Sequence, residues 1–341
     1  MDVLITGAAS ALGSEIAAAL ESDEIQVRLL DDCAARREDV EWVEGSLVDP
    51  DTAWKAVHNI DALIHTGEPP PNLPADPLKR EVALLDLATR GTHVLFQAAV
   101  DAGLGRIERF LGNGVTRGKL TTEDRDVTMG RLSGTTSFEP LAESDIVIEA
   151  IVENIEAKRV VFAAVEAVVG PNTLLCSNTS SVCITELAAA TTRPDKFVGL
   201  HFFSPVPIMS LVEVIRGLST VDTTYQRVFA FAQSLGKQPV AAPDRPGFIV
   251  NRLLIPYLLS AVRAYEGGCG TLEDIDTAMT LGCGHPMGPF TLLDFVGLDT
   301  TYYIANIMYE EFRDSAYAPP PLLKRMVLDG RLGRKSGHGF Y

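Results

Sequence analysis

Over the first 111 residues, short apolar runs alternate with stretches of helical period. Val3–Thr6 reads as a buried strand, Leu12–Leu20 as a helix, and Gln26–Leu30 as a second strand ending at Asp31. A strand at Val40–Glu44, a helix near Ala53–Val57 and a strand at Asp61–His65 follow. The Pro-rich stretch Glu68–Pro77 interrupts the pattern. A long helix from about Lys79 to Ala102 then leads into an expected strand at Arg106–Leu111. Strands alternating with helices predict a parallel sheet with right-handed crossovers.

From Gly112 to about Gly134 the chain is polar and rich in Gly and Thr, with a helical signal at Thr122–Arg131 behind a Thr that suits an N-cap. The alternation then resumes: Asp145–Ile151 and Thr173–Ser177 read as strands around the helix Ile155–Val169, and Phe197–Phe203 and Leu211–Arg216 as two more. Beyond Pro243–Pro246 strand signals disappear. Phe248–Tyr265, Leu272–Leu281, Phe290–Gly297 and Thr300–Phe312 have the period of helices. The predicted class is α/β, with one or more Rossmann-type parallel sheets followed by an all-helical C-terminal domain. The divisions fall at 1–111, 112–243 and 244–341. Asp61–His65 (DALIH) and Asp145–Glu149 (DIVIE) read as the same kind of strand occurring twice.

Composition narrows the function. A chain of 341 residues suggests about two domains. A net charge of −16 argues against nucleic acid or an anionic membrane as the main partner, since both need a basic face. No apolar run approaches the roughly 20 residues that span a bilayer. The first residues enter a strand without the regions of a signal peptide, so a soluble cytoplasmic protein is expected. Five scattered cysteines without a C-x-x-C pair fit reduced thiols packed as small apolar residues. The six histidines lack metal-site spacing.

Two places carry chemistry. In the first, Gly7, Ser10 and Gly13 lie between a strand and a helix, where a tight turn and free helix N–H groups suit a pyrophosphate. Asp31 ends the next strand, placed to accept from ribose hydroxyls and to repel a 2′-phosphate, which favours NAD over NADP; Arg36 and Arg37 temper that preference. In the second, His201 and Glu213 lie on neighbouring predicted strands, and a His–Glu dyad is a competent general base. Ser180 follows another strand and Asn251 opens a helix; both are able to donate to a substrate oxygen. Taken singly, His201 reads as a satisfied core histidine and Asn251 as a helix-surface residue.

The first segment resembles the extended short-chain dehydrogenase/reductase family. The likeness rests on the Thr6–Gly13 turn (Ser10 standing for a glycine), Val43–Pro50, Asp61–Gly67 and Arg90–Gly103. That family's Tyr-x-x-x-Lys is nowhere in the chain, so its proton transfer is excluded. From about residue 117 to 341 the chain resembles the L-3-hydroxyacyl-CoA dehydrogenases. The motifs are Val147–Lys158, Ser177–Ser181, His201–Glu213, Pro246–Pro256, Gly284–Pro289 and Leu332–Tyr341. This resemblance implies an acyl-CoA thioester substrate, NAD, and a homodimer. It makes His201 the base for the 3-hydroxyl with Glu213 its partner, and has Ser180 and Asn251 hold substrate oxygens. Glu153, Lys158, Lys335 and Ser180 would contact the cofactor, and Ser204 stands where that family has an asparagine near the nicotinamide.

The dehydrogenase family's own first strand, glycine turn and helix are absent, and its CoA-contacting helical hairpin reads as mostly gone. The patterns Gly112-x-Gly114-x-x-x-Gly118 and Gly282-x-Gly284-x-x-x-Gly288 read as loops rather than as the missing turn. The Thr6–Gly13 turn is then expected to anchor the diphosphate of a cofactor whose nicotinamide serves His201. Asp61–His65 and Asp145–Ile151 compete for one edge of the first strand. The shorter loop closure favours Asp61–His65, giving a five-stranded sheet in residues 1–111 and an open edge at Asp145–Ile151. If Asp145–Ile151 takes that edge, a composite cofactor site forms. A rival reading is a catalytically silent nucleotide-binding or scaffold protein made from two dehydrogenase fragments. The basic cluster Lys324, Arg325, Arg331, Arg334 and Lys335 suits either phosphates or a solvated face.

Overall fold

Val3, Leu4 and Ile5 are fully buried, with Leu4 facing one apolar cluster and Val3 and Ile5 another. A strand buried on both faces is what a central parallel strand requires. The structure is a computed structural model that describes residues 2–21, 26–33, 40–60, 62–66, 79–80 and 92–341. It divides into two units, Met1–Ser137 and Phe138–Tyr341.

The first unit runs β1 (Asp2–Thr6), α1 (Ala11–Glu21), β2 (Gln26–Asp31), β3 (Glu41–Glu44), α2 (Pro50–Val57), β4 (Ala62–His65), α3 (Thr92–Thr116) and α4 (Thr122–Met129). Its parallel sheet has the order β3-β2-β1-β4. Asp49 starts α2 by accepting from the Thr52 N–H at 3.0 Å, with Pro50 in the first helical position. β4 takes the β1 edge in the register Val3↔Ala62 to Thr6↔His65, as the shorter closure favours. A partly buried relay ties this edge to α3: Thr6 Oγ1 meets His65 Nδ1 at 2.7 Å, and Thr92 Oγ1 meets His65 Nε2 at 2.9 Å.

Three expectations for this region are corrected. Arg106–Leu111 is not a strand but the middle of α3, so the sheet has four described strands rather than five. The physical reason is visible in the sequence: Leu104, Ile107, Leu111 and Val115 recur at three- and four-residue intervals. Gly112 and Gly114 lie inside α3 rather than in a loop. The chain turns at Gly118 and re-enters a helix capped by Thr121, whose Oγ1 accepts from Asp124 N at 3.0 Å. α4 packs back on α3, so a helix pair stands where the sequence suggests that a hairpin is mostly missing. Glu68–Pro77, residues 81–91, Arg36 and Arg37 lie outside the described residues.

The second unit opens with β5 (Ile146–Glu149), α5 (Ile155–Glu166), β6 (Leu174–Ser177), α6 (Ile184–Ala189), β7 (Phe197–Phe202), β8 (Leu211–Arg216), α7 (Asp222–Ser234) and β9 (Gln238–Ala242). Its sheet runs β5-β6-β7-β8-β9, parallel except between β7 and β8, and β5 is an edge strand. β9 is not legible in the sequence because it is short and holds Pro239; as an edge strand it tolerates the missing donor.

Five helices follow: α8 (Val250–Glu266), α9 (Leu272–Cys283), α10 (Pro289–Val296), α11 (Leu298–Phe312) and α12 (Pro321–Leu328). They close on a core that includes Leu258, Val262, Phe290, Leu293 and Met308. Two buried acids organise this region. Asp276 accepts from Phe290 N at 2.8 Å and Thr291 N at 2.9 Å, and so caps α10. A Cβ at Gly288 would sit 2.2 Å from the Asp276 carboxyl carbon, so the cap needs glycine there. Asp294 holds the last residues through Phe340 N at 2.8 Å and Tyr341 N at 3.0 Å. The Gly284–Pro289 and Leu332–Tyr341 motifs are thus explained in part by packing. Of the cysteines, Cys176 is buried, whereas Cys269 and Cys283 are exposed, which corrects their expected packing. Among the described residues no helix is long and apolar enough to cross a membrane.

A methyl group at Gly112 would meet nothing within 4 Å. Because the residue is helical, Gly112→Ala should raise unfolding free energy by about 0.5–1 kcal/mol. Urea unfolding checks this; unchanged or lower stability would argue against a helix there.

Candidate active site

In the first unit, β1 hands over to α1 through a turn that only small residues can make. Gly7 has φ +70°, and a Cβ on Gly13 would lie 2.3 Å from the Gly7 carbonyl oxygen. Ser10 closes the turn: its hydroxyl donates to Gly7 O at 2.6 Å and accepts from Gly13 N at 2.9 Å. Asp31, 6% exposed at the end of β2, accepts from Ala9 N at 2.8 Å and from Asp32 N at 2.9 Å. Burial pushes the neighbouring Asp32 carboxyl up, and Asp31's hydrogen bond and charge add to it. Gly7, Ser10 and Gly13 therefore form one close-packed turn, tied to Asp31 through Ala9 N, in which a Cβ at Gly13 would strike the Gly7 carbonyl, a backbone that fits a dinucleotide.

In the second unit, the register pairs His201 with Glu213 across the antiparallel β7–β8 ladder. His201 Nδ1 lies 2.8 Å from Glu213 Oε2, and Nε2 lies 3.0 Å from Ser180 Oγ. Both ring and carboxylate are buried. The second oxygen of Glu213 accepts from Ile249 N at 3.0 Å and Val250 N at 2.9 Å, the start of α8. Those N–H groups are aimed by Gly247 and Phe248, both at positive φ (+80° and +44°). For a phenylalanine that conformation costs on the order of 1–3 kcal/mol. Its ring packs on His201, with centroids 5.5 Å apart.

An acceptor-only carboxylate on Nδ1 requires the ring proton there. In the neutral ring Nε2 then keeps its lone pair, which the Ser180 hydroxyl faces at 3.0 Å. The arrangement can accept a proton at Nε2, beside the Ser180 hydroxyl.

Ser180 is itself held by a buried charge cluster. Glu153 Oε1 accepts from Thr179 Oγ1 at 2.5 Å and from Ser180 N, Ser181 N and Ser181 Oγ, each at 2.9 Å. Its Oε2 lies 3.2 Å from Lys158 Nζ, which is 2.7 Å from Glu149 Oε1. Burial works against the Glu153 charge, but the Thr179 hydrogen bond, the Lys158 ammonium and the Ser181 donors outweigh it. Its carboxyl is held below the usual range.

The remaining predicted residues are placed as follows. Asn251 is half-buried in the first turn of α8, directly after Val250. Ser204 is exposed beyond the end of β7. Lys335 pairs with Asp299 at 2.5 Å. Lys158 is 1% exposed, enclosed by two carboxylates. Arg325, Arg331 and Lys335 of the basic cluster each pair with an acid, as on a solvated face.

The family description "3-hydroxyacyl-CoA dehydrogenase, NAD binding domain" matches residues 80–245, and "3-hydroxyacyl-CoA dehydrogenase, C-terminal domain" matches residues 247–341. A 3-hydroxybutyryl-CoA dehydrogenase of Mycobacterium tuberculosis is 49% identical over 247 residues, 72% of this chain and 86% of that one. The chain belongs to the 3-hydroxyacyl-CoA dehydrogenase family. The human mitochondrial hydroxyacyl-coenzyme A dehydrogenase is 48% identical over 225 residues, covering 65% of this chain and 72% of its own. Among solved structures, M. tuberculosis FadB2 superposes with a TM-score of 0.71 at 38% identity, over 99% of this chain and 97% of its own. The (S)-3-hydroxybutyryl-CoA dehydrogenase PaaH1 of Ralstonia eutropha gives 0.70 at 35% identity, over 100% and 98%.

As a member of the 3-hydroxyacyl-CoA dehydrogenase family the chain is an NAD-dependent oxidoreductase, with NAD as its cofactor. The match begins at residue 80, well before residue 117, and so takes in α3 and α4. Sequence reasoning misses Glu149, Thr179, Ser181 and Tyr303, whose hydroxyl donates to the Glu153 carbonyl at 2.9 Å. The signal for them is Glu149 itself, a charged residue ending an apolar strand.

Because Glu153 titrates lower when folded, its stabilisation is present above the usual carboxylate range and is lost as pH falls through its lowered value. Unfolding free energy of the native chain should therefore drop more steeply from about pH 5 to pH 3 than that of Glu153→Gln. Urea titrations at stepped pH measure the two slopes; equal slopes would refute the assignment.

Proposed function

We propose that the protein transfers a hydride between NAD and C3 of a 3-hydroxyacyl-CoA, with the His201–Glu213 dyad as general base. The observation that carries this reading is the single chain of contacts from buried Glu213 through His201 to Ser180. It lies in a chain matched along residues 80–341 to that family. The names of the relatives, 3-hydroxybutyryl-CoA and hydroxyacyl-coenzyme A dehydrogenases, support the substrate class.

In the oxidising direction the substrate's 3-hydroxyl takes the place of the Ser180 hydroxyl at Nε2, and the imidazole accepts its proton. Glu213 keeps the Nδ1 proton in place and stabilises the imidazolium that forms, while Ser180 and Asn251 hold the developing carbonyl oxygen. When bound, NAD supplies the hydride acceptor. In reverse, the imidazolium returns the proton to the 3-keto oxygen. Gly7, Ser10, Gly13 and Asp31 of the first unit would hold a dinucleotide's diphosphate and ribose. Residues 1–111, short-chain-reductase-like in motif, carry a glycine turn of dinucleotide-binding type. The reading includes a cytoplasmic homodimer; exposed Leu253, Leu281 and Phe295 on α8, α9 and α10 support pairing through the helical region.

NADH oxidation with acetoacetyl-CoA tests the proposal. His201→Ala should lower kcat by about 10²–10⁴-fold. Asp31→Ala removes charge-assisted hydrogen bonds and should weaken NADH binding by roughly tenfold or more. NADH binding without turnover in the native chain would favour the silent nucleotide-binding reading instead. Light scattering should give twice the chain mass, 36.8 kDa per copy; a monomer alone would refute the dimer.

A further inference from the structure

Lys158 is a long cation with almost no exposure, held at 2.7 Å from Glu149 and 3.2 Å from Glu153. Glu149 is equally buried and has no free oxygen: Oε1 takes Lys158 and Ile151 N at 2.6 Å, and Oε2 takes Ser177 Oγ at 2.6 Å. Four donors of the Thr179–Ser181 loop meet on the near oxygen of Glu153, and Lys158 meets the far one. Beyond that loop, the Ser180 hydroxyl meets His201. The position of the hydroxyl that faces the base is therefore set three residues deep: Glu149 holds Lys158, Lys158 holds Glu153, and Glu153 holds the loop.

We infer that Glu149 and Lys158 are positioning residues that fix Ser180 against His201, with Lys158 serving as a buried pin between two carboxylates. This rests on the dehydrogenase reading for its kinetic consequence but not for its geometry. Removing the Glu149 charge leaves Lys158 a single carboxylate to pair with. The ammonium, left with Glu153 and the Ile151 carbonyl at 3.4 Å, then draws Glu153 toward itself and away from the loop, because a buried charge that has lost a partner is costly. Removing Lys158 as well relieves the pull, because Glu153 keeps its four loop donors.

The variants are Glu149→Gln, Lys158→Met and the double variant, each compared with the native chain. A misplacement of about 1 Å costs on the order of 10²-fold in rate. Glu149→Gln is thus expected to lower kcat by about 10–100-fold, with KM for acetoacetyl-CoA changed by less than about threefold. The double variant should recover at least about tenfold of that loss, a coupling that independent sites do not show. Thermal melts confirm that each variant is folded. The nitrogen-15 resonance of His201 Nε2, read by NMR on unliganded protein, should move in Glu149→Gln and return in the double variant. Full kcat in folded Glu149→Gln, or no recovery in the double variant, overturns the inference. If the native chain turns over no substrate, the dehydrogenase reading fails by itself. The Nε2 resonance then decides: a shift that returns in the double variant supports the pin, and an unmoved resonance overturns it.

Discussion

A carboxylate taken fully out of water must find donors or give up its charge. Glu213 finds three, one from the His201 ring and two from the backbone at the start of α8. That requirement shapes everything around it. The antiparallel turn between β7 and β8 exists at the place that brings residues 201 and 213 into register. Gly247 and Phe248 adopt positive φ so that two successive N–H groups converge on one oxygen. The helical region is thereby fastened to the sheet through the same side chain that orients the His201 ring.

The first unit answers a different constraint. A parallel strand has two edges, and the edge of β1 that β2 does not occupy can host one neighbour. β4 occupies it, closed by a shorter connection than β5 would need and tied to α3 by the Thr6–His65–Thr92 relay. β5, which carries the same strand pattern, is then the terminal strand of the other sheet. Its apolar side chains Ile146, Val147 and Ile148 are only partly covered, while Glu149 at its end is buried.

How much of this is legible in the sequence follows from the range of the interactions involved. The central strands announce themselves because burial on both faces demands uninterrupted apolar runs. The dyad is legible because two ionisable side chains set in neighbouring apolar strands are stable there only if they meet. Arg106–Leu111 imitates a strand because charged and apolar residues mix within a window too short to show a helical period; only its longer repeat with Leu104 and Val115 reveals the helix. β9 is invisible because its stability comes from β8 rather than from its own residues. The Glu149–Lys158–Glu153 arrangement joins residues four to nine places apart, yet their meeting depends on how α5 leaves β5, which no local pattern encodes. Lys158 reads as a surface cation reaching a ligand, since an interior lysine with two acids is a tertiary outcome.

Ser10 illustrates what a single hydroxyl changes. A glycine at that place would leave the Gly13 amide facing outward and the turn free to breathe. The serine instead occupies that amide and the Gly7 carbonyl together, so the loop holds its shape with nothing bound. An arriving anion meets a preorganised surface and loses less entropy in binding, but it finds one backbone donor fewer. Affinity at this turn is therefore a balance of rigidity against donor count, struck by one oxygen atom.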